Sequence, residues 1–509
     1  MTHFEKITTH QEIIEIEKNT INNGTSVATL ILRASEKISD HIERTINKDS
    51  KILFILGKGK NGQDGYGVFN NLINKNYNCS ILFVFTKSDY SEWEINTEIS
   101  GKKSYYFEDS EDYKNVINTC DIIVDGIFGT GLNRPIDGKI QKLIYYLNKL
   151  NKHVISIDIP SGLSESNLKI SEKNTIIASE TLSLTAIKQS CLNINTNKYA
   201  NQIINLNIGI TEFPDTYLGK YLINREYATK FIHEKNKYGS KRDSGNTTII
   251  GGSIKFPGAI LMSANACMET GIGLISLCIP NNIYTIIAGQ IPEVSLDILE
   301  NPDKNITIRN ISEIIKKKRL DSILIGPGME TNKSTINAME YFIHNIHINN
   351  LNGLVIDADG INCLSNIDNW WKNKLPKNTV ITPHIREMSR LTKLNITDIE
   401  SNPFEIISHY SKKWKTTIVL KGPLSYISDG NNTYVLNHPN PAMSKGGTGD
   451  VLAGLINGFL AQQSNSLCSS ILGVSLLSLA GEWSKLKHGI LGSSATKLIQ
   501  GIKEINKNA

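Results

Sequence analysis

Apolar positions along the chain change their period several times, and each change predicts an element. Residues 8–48 carry them at helical spacing, in IIEIEKNTI and again in VATLILRASEKISDHI, which predicts two helices. The period then collapses into a continuous run, KILFIL at residues 51–56, as expected of a strand buried on both faces of a parallel sheet. Comparable runs at residues 80–85, 122–124 and 154–157, a further one around 183–188, and helical patterns between them predict an open, mostly parallel sheet with both faces covered. This first unit is expected to end near Ile210. Residues 211–238 are polar and irregular, as in a connector. A second alternation follows. A strand at 246–250 ends in GGS, a PGA turn opens a helix, and a GIG turn leads back to another strand. Further strand exits are read at ILIGPG, VIDADGIN, VITPHIREM and VLKGP.

Polar and glycine residues gather at these strand exits, where ligands bind in open α/β sheets. GKGKNGQDGYG, after the first strand, contains a GxGxxG at Gly57, Gly59 and Gly62, which fits a dinucleotide-binding turn or a plain tight turn. Three successive exits each bring an aspartate: Asp64, Asp125 and Asp158. Near the end of the chain, NPAMSKGGTGDVLAGL runs a glycine-rich loop into an apolar segment, residues 451–460, that reads as a buried helix. Bare N–H groups at such a helix start, with roughly +0.5 of a charge from the macrodipole, suit a phosphate. Asp450 does not belong in an anion cradle, since a bound phosphate repels it. Proton acceptance from a substrate hydroxyl explains it; stabilisation of its own helix is the alternative.

Composition narrows the partners. The 54 basic and 49 acidic residues leave a net charge of only +5, and the lysines are scattered, so no nucleic-acid partner is expected. Seven cysteines without a CxxC pair argue for a reducing compartment and against a disulfide framework or zinc site. His344 and His347 form an HxxH with no further ligand at suitable spacing, which reads as a surface pair. The charged N-terminus lacks a signal-peptide core, and no apolar run is read as long enough for a membrane. The expectation is a soluble, cytoplasmic protein without a membrane partner.

The ordered set of motifs resembles the bifunctional NAD(P)H-hydrate repair enzymes. GKGKNGQDG, VDGIFGTGLNRP and IDIPSGLS look like the NAD(P)HX epimerase patterns GxGNNGGDG, VDxxFGTGxxRP and VDIPSGxD. GGS with PGA, then GPG, DADGIN, TPH, LKG and GGTGDVLAG look like the ADP-dependent NAD(P)HX dehydratase, a ribokinase-like protein. The resemblance implies a Rossmann-like three-layer α/β sandwich over residues 1–215, a linker at 216–236 and a ribokinase-like α/β domain over 237–509. It implies that the R and S hydrates of NADH and NADPH (NADHX and NADPHX) are interconverted in the first domain, and that the S form is dehydrated in the second with ADP, or ATP, and Mg2+. In the epimerase half, Asp158 would be catalytic, and Lys60, Asn61, Gly62, Gln63, Asp64, Gly129, Thr130, Gly131, Leu132, Asn133, Arg134 and Pro135 would contact substrate. Asn61, Asp125 and Ser161 match positions that hold a potassium ion. In the dehydratase half, Asp450 would be the base, and Ala259, Gly328 and His384 would line the hydrate pocket. Lys421, Gly422, Pro423, Leu424, Ser425 and Gly449 would hold the nucleotide. A homo-oligomer is expected.

The chain departs from the family pattern at several positions. Lys60 stands where the family has Asn, adding a potential phosphate contact, and Gln63 where it has Gly. At a positive-φ position a glutamine costs roughly 1–2 kcal/mol and adds bulk against a ligand. Ser164 replaces an aspartate, Leu32 and Ser35 replace residues of LMExAG, Ile385 and Arg386 replace Pro and Gly after TPH, and Ser425 replaces a threonine. Two other readings stay open: a dehydratase with a non-catalytic nucleotide-binding first half, or a small-molecule kinase of the ribokinase-like superfamily.

Overall fold

The computed structural model describes residues 4–507 apart from residues 92, 94–103, 108–111, 166–169, 211–212, 214–218, 225–226, 228–237, 239, 301–304, 317–319, 349–350 and 463–464. The chain forms two compact units, Glu5–Tyr217 and a second that runs from residue 218 onward and takes in Phe4.

The described chain opens on β1 (Phe4–Thr8), which from Glu5 onward belongs to the first unit, followed by α1 (His10–Asn22) and α2 (Val27–Thr45). The start of α1 is fixed by a capping box. Thr9 Oγ1 accepts the Glu12 N–H at 3.1 Å, and the Glu12 carboxylate accepts the Thr9 N–H at 2.7 Å. The sheet follows: β2 (Lys51–Leu56), then α3 (Lys60–Asn74), β3 (Asn78–Phe83), β4 (Ser104–Tyr106), β5 (Ile122–Gly126), β6 (His153–Ile157), β7 (Glu180–Leu184), β8 (Ile187–Lys188) and β9 (Gln202–Leu206). Seven strands pair in parallel in the order β4-β3-β2-β5-β6-β7-β9. The strand expected at 80–85 lies two residues earlier, at Asn78–Phe83. Alternate residues of one strand feed separate cores. Phe54 and Leu56 pack with Ile38, Val68 and Phe69 on one face, whereas Leu53 and Ile55 pack with Leu143, Ile144 and Leu147 on the other. Two buried faces make three layers, and each such side chain contributes about 1.5–3 kcal/mol.

In the second unit the strands are β10 (Gly219–Ile223), β11 (Asn246–Ile250), β12 (Leu274–Pro280), β13 (Ser295–Leu299), β14 (Ser322–Ile325), β15 (Gly353–Ile356), β16 (Asn378–Ile381), β17 (Thr417–Leu420), β18 (Leu424–Ser428) and β19 (Asn432–Asn437). Their order is β13-β12-β11-β14-β15-β16-β17-β18-β19-β10. Pairing is parallel from β13 to β17 and antiparallel from β17 through β19, after which β10 lies parallel to β19. Most of the 216–236 stretch expected as a linker lies outside the described residues, but Gly219–Ile223 within it is a strand of this sheet. Its Tyr221 stacks on Tyr434 at 5.1 Å, and Phe4 packs on Tyr221, Tyr227 and Tyr434. Those aromatic pairings tie down a segment whose composition looks like a connector.

The helices that matter for the site are α4 (Pro257–Met268), α5 (Ile385–Thr392), α6 (Thr448–Ala461) and α7 (Ser466–Gly492). The expectation that no apolar run reaches membrane length needs correcting. At 27 residues α7 is long and apolar enough to qualify, but 67% of its apolar window is buried inside the protein. Leu472, Leu476 and Ala480 of α7 join Val451 and Leu455 of α6 in the core of this unit, so the apolarity of α7 is explained by packing. All seven cysteines are free thiols, six of them buried.

Candidate functional site

In the first unit the exits of β2, β5 and β6 converge on a cavity of about 630 Å³. Lys60, Asn61, Asp64, the loop from Gly129 through Thr130, Gly131, Leu132 and Asn133 to Arg134, and Asp158 all line it. Gly62, Gln63 and Pro135 do not. A Cβ on Gly62 would stand 1.9 Å from the Gly57 carbonyl, so that glycine is required by a close backbone approach. Gln63 lies in the first turn of α3 and is not among the positive-φ residues. The strain expected there is absent, because the position is helical.

At the exit of β5 the Asp125 carboxylate is buried and held by four donors. Ile127 N and Ser161 Oγ donate to Oδ1 at 3.2 and 2.6 Å, and Ser156 Oγ and Ser161 N to Oδ2 at 2.8 and 2.9 Å. Burial pushes its pKa up and the Ser161 hydrogen bonds pull it back. Asn61 Nδ2 donates to the Phe128 carbonyl at 3.1 Å, and the Phe128 N–H donates to Ser161 Oγ at 2.8 Å. The three residues matched to a potassium site therefore meet around Phe128.

Asp158 sits beyond β6 in left-handed backbone, φ 66°, unusual for a residue with a side chain. Its N–H donates to the Leu182 carbonyl at 2.8 Å, and its Oδ1 accepts the Leu184 N–H at 3.1 Å and the Lys188 ammonium. Around it lie groups that sequence reasoning did not assign. His10 and Glu17 come from α1 and Lys188 from β8. His10 Nε2 is 2.8 Å from Ser190 Oγ, and burial lowers its pKa to about 4, so the imidazole is neutral. Burial raises the pKa of Glu17, as does the nearby Asp158 charge. The same two causes hold Asp64 well above the ordinary carboxylate range. Lys60 reaches Glu17 at 3.5 Å and is largely exposed. Only the long-range packing of α1 and β8 could have exposed these neighbours; the capping box at Thr9 was the one local signal.

In the second unit the site is assembled from helix starts against strand exits. Pro257 opens α4, which carries Ala259. Gly328, beyond β14, has φ 65°, and a Cβ there would lie 2.7 Å from the Phe256 carbonyl and 3.1 Å from Ala259 Cβ. Ala259 and Gly328 are thus neighbours. His384 caps α5. Its Nδ1 accepts the Arg386 and Glu387 N–H groups at 3.1 and 3.2 Å, which places the ring hydrogen on Nε2. Burial, with Lys421 and Arg390 nearby, lowers its pKa and keeps it neutral. Burial lifts Glu387 to about 7, against the pull of Lys421.

His384 bridges to Lys421, whose ammonium donates to Asp357 Oδ1 at 2.7 Å. Burial opposes the Lys421 charge, but Asp357 and Glu387 outweigh it and raise its pKa. Asp357 is 1% exposed, and its Oδ2 has no hydrogen-bond partner among the described residues. The same lysine lies 3.3 Å from the place a Cβ on Gly449 would take. Gly449 and Asp450 form the first turn of α6, behind Gly447 at φ 89°. Burial raises Asp450 to about 7, with Asp357 adding to the effect and Lys421 opposing it. Of the nucleotide candidates, Lys421 and Gly449 come together; Leu424 is buried in β18, and Ser425 follows it in the same strand. Gly422 and Pro423 connect β17 to that strand.

A protein-family model described as NAD(P)H-hydrate dehydratase matches residues 247–504. The chain belongs to the NAD(P)H-hydrate dehydratase family. Residues 27–190 of this dehydratase-family chain also match a model described as YjeF-related protein N-terminus. The chain is similar to a bifunctional NAD(P)H-hydrate repair enzyme of Dictyoglomus turgidum, 28% identical over 97% of both chains. It is similar to another from Moorella thermoacetica, 25% identical over 94% of this chain and 91% of that one. Among solved structures it resembles a ribokinase-like superfamily protein of Enterococcus faecalis at 26% identity and a TM-score of 0.50, covering 58% of this chain and 99% of that one. The resemblance read from the motifs is borne out over both halves of the chain. His10 and Glu17 lie before the matched 27–190 region, although α1 builds part of the cavity wall.

Proposed function

We propose that this chain repairs hydrated NADH and NADPH, interconverting the R and S hydrates in its first unit and dehydrating the S form with ADP in its second. The observation that carries the reading is Asp450, a carboxyl lifted to about 7 on the first turn of a helix, beside Lys421 and the buried Asp357. A base for a hydroxyl proton works best with a pKa near the working pH. Bound ADP would supply the phosphoryl group that turns hydroxide, a poor leaving group, into a good one. Asp450 takes the hydroxyl proton. Lys421 and the backbone N–H groups at Gly449 supply positive potential for phosphates. Ala259 and Gly328 shape an apolar wall, and the neutral His384 presents Nε2–H as a donor. Among the described residues no group of three His, Cys, Asp or Glu could cage a metal. Mg2+ would therefore be held through the nucleotide and water, with the unpartnered Asp357 Oδ2 as an available acceptor.

In the first unit Asp158 takes the proton of the hydrate's hydroxyl as the ring carbon–nitrogen bond opens to a carbonyl, and returns it as nitrogen re-adds to the other face of that carbon. Gly129 to Arg134, with Lys60, hold the substrate. Asn61, Asp125 and Ser161, with the Phe128 carbonyl between them, would offer one charge among neutral oxygens, the donor chemistry a potassium ion needs. Buried free thiols support a reducing compartment such as the cytoplasm; assembly into a homo-oligomer is part of the proposal by analogy with the family.

The test is recovery of NADH from a mixed R and S hydrate with Mg2+, K+ and either ADP or ATP, with and without an independent epimerase. Equal and complete recovery supports both activities. Recovery that stops when the S form is exhausted removes the epimerase reading, and no recovery removes the repair reading in favour of a small-molecule kinase.

A further inference from the structure

The Asp158 carboxylate has two different oxygens. Oδ1 is occupied by the Leu184 N–H and the Lys188 ammonium, whereas no hydrogen bond to Oδ2 is seen among the described residues. Asp158 lines the cavity; Lys188 does not. Lys188 is 1% exposed, and its ammonium is also anchored on the Leu184 carbonyl at 2.8 Å. A lysine is rarely buried to this degree, and removal from water is costly unless its charge is paired. Here the pairing partner is the residue that carries the proposed chemistry of the first unit.

Backbone geometry points the same way. The left-handed φ of Asp158 is a strained state that the surroundings must enforce. Its N–H is held by Leu182, its Oδ1 by Leu184, and its charge by Lys188, so β7 and the end of β8 grip the residue at three points. Other charged or titratable groups face Asp158 from every side: His10 and Glu17 on α1, Asp64 on α3 with Lys60 beside it, and Cys191 beyond β8. Of these, Glu17 and Asp64 bring further carboxyl groups, and Lys188 is the buried cation among them.

We infer that Lys188 is a positioning residue for the hydrate-epimerising reaction: it locks Asp158 Oδ1, fixes a buried positive charge beside the carboxylate and leaves Oδ2 as the atom that exchanges the substrate's proton. This rests on the epimerase reading of the first unit. Lys188 itself neither gives nor takes the proton. When Oδ2 accepts it, the ammonium stays charged and bound to Oδ1 and to the Leu184 carbonyl, and the proton leaves again from Oδ2.

The experiment uses the full chain and follows interconversion of the R and S hydrates by NMR. S-hydrate dehydration by the second unit, in the same preparation, reports an intact chain. Lys188→Met is expected to lower kcat for epimerisation on the order of 10- to 100-fold with KM unchanged. Because the lost cation stabilised the charged form, the acid limb of the pH profile moves up by about 1–3 units. Lys188→Arg keeps the charge and is expected to restore the acid limb and part of kcat, even where Lys188→Met folds poorly. An unmoved acid limb in an active Lys188→Met chain, or a loss in KM alone, would make Lys188 structural and overturn the inference. So would an Arg variant that behaves like the Met variant. A wild-type chain that binds the hydrate but does not interconvert its epimers would instead overturn the epimerase reading, and this inference with it.

Discussion

At the level of single residues, the two units solve the same problem in opposite ways. On the proposed reading each needs a carboxylate that can exchange a proton. Asp158 is left-handed and clasped to a buried lysine, whereas Asp450 is lifted to about 7 by burial next to another acid. A base with a raised pKa works only above it. Dehydration should therefore fall as pH drops below about 7, and a pH profile of kcat/KM checks this. Asp450→Asn should lower dehydration by about 10²- to 10⁴-fold while epimerisation in the same sample continues. Gln63 shows where sequence reasoning went astray. Set against the family's glycine it looks like an obstruction, yet the backbone there is ordinary helix and the side chain is outside the cavity lining. Gln63→Gly should thus cost α3 about 0.5–1 kcal/mol, read by faster amide exchange, with no gain in activity.

Secondary elements were legible wherever a continuous apolar run marked a parallel strand, as at Lys51–Leu56 and Asn246–Ile250. The sequence does not single out the antiparallel pair β18 and β19 or the strand β10, because they are short and partly polar. Site residues followed the same division. Asp125 and Asp158 on strand exits, and Asp450 on the first turn of α6, sit inside local motifs. Lys188, His10 and Glu17 acquire meaning only when α1 and β8 reach the exit of β6, an arrangement that residue spacing does not encode. The joint between β14 and α4 shows how elements shape the second pocket. Gly328→Ala would force a Cβ against Phe256 and Ala259 from a left-handed backbone, costing about 1–2 kcal/mol. Its expected result is a raised KM for the hydrate in the dehydration assay, with epimerisation unaffected.

On the scale of the whole molecule, the chain is divided into two units but not into two consecutive segments. Phe4 belongs with the second unit, where its ring lies 4.9 Å from that of Tyr227 and 5.0 Å from that of Tyr434. Phe4→Ala should loosen the packing of β10 by on the order of 1–3 kcal/mol, detected as faster amide exchange in β10 and β19 than in β14. The order of synthesis gives this contact a further meaning. At about 5–20 residues per second, Phe4 is made roughly tens of seconds before Tyr434 exists to receive it. The first unit can close during that interval; the second cannot finish its edge until the ribosome has passed β19. A gene split at the boundary between the units would strand Phe4 on the wrong product.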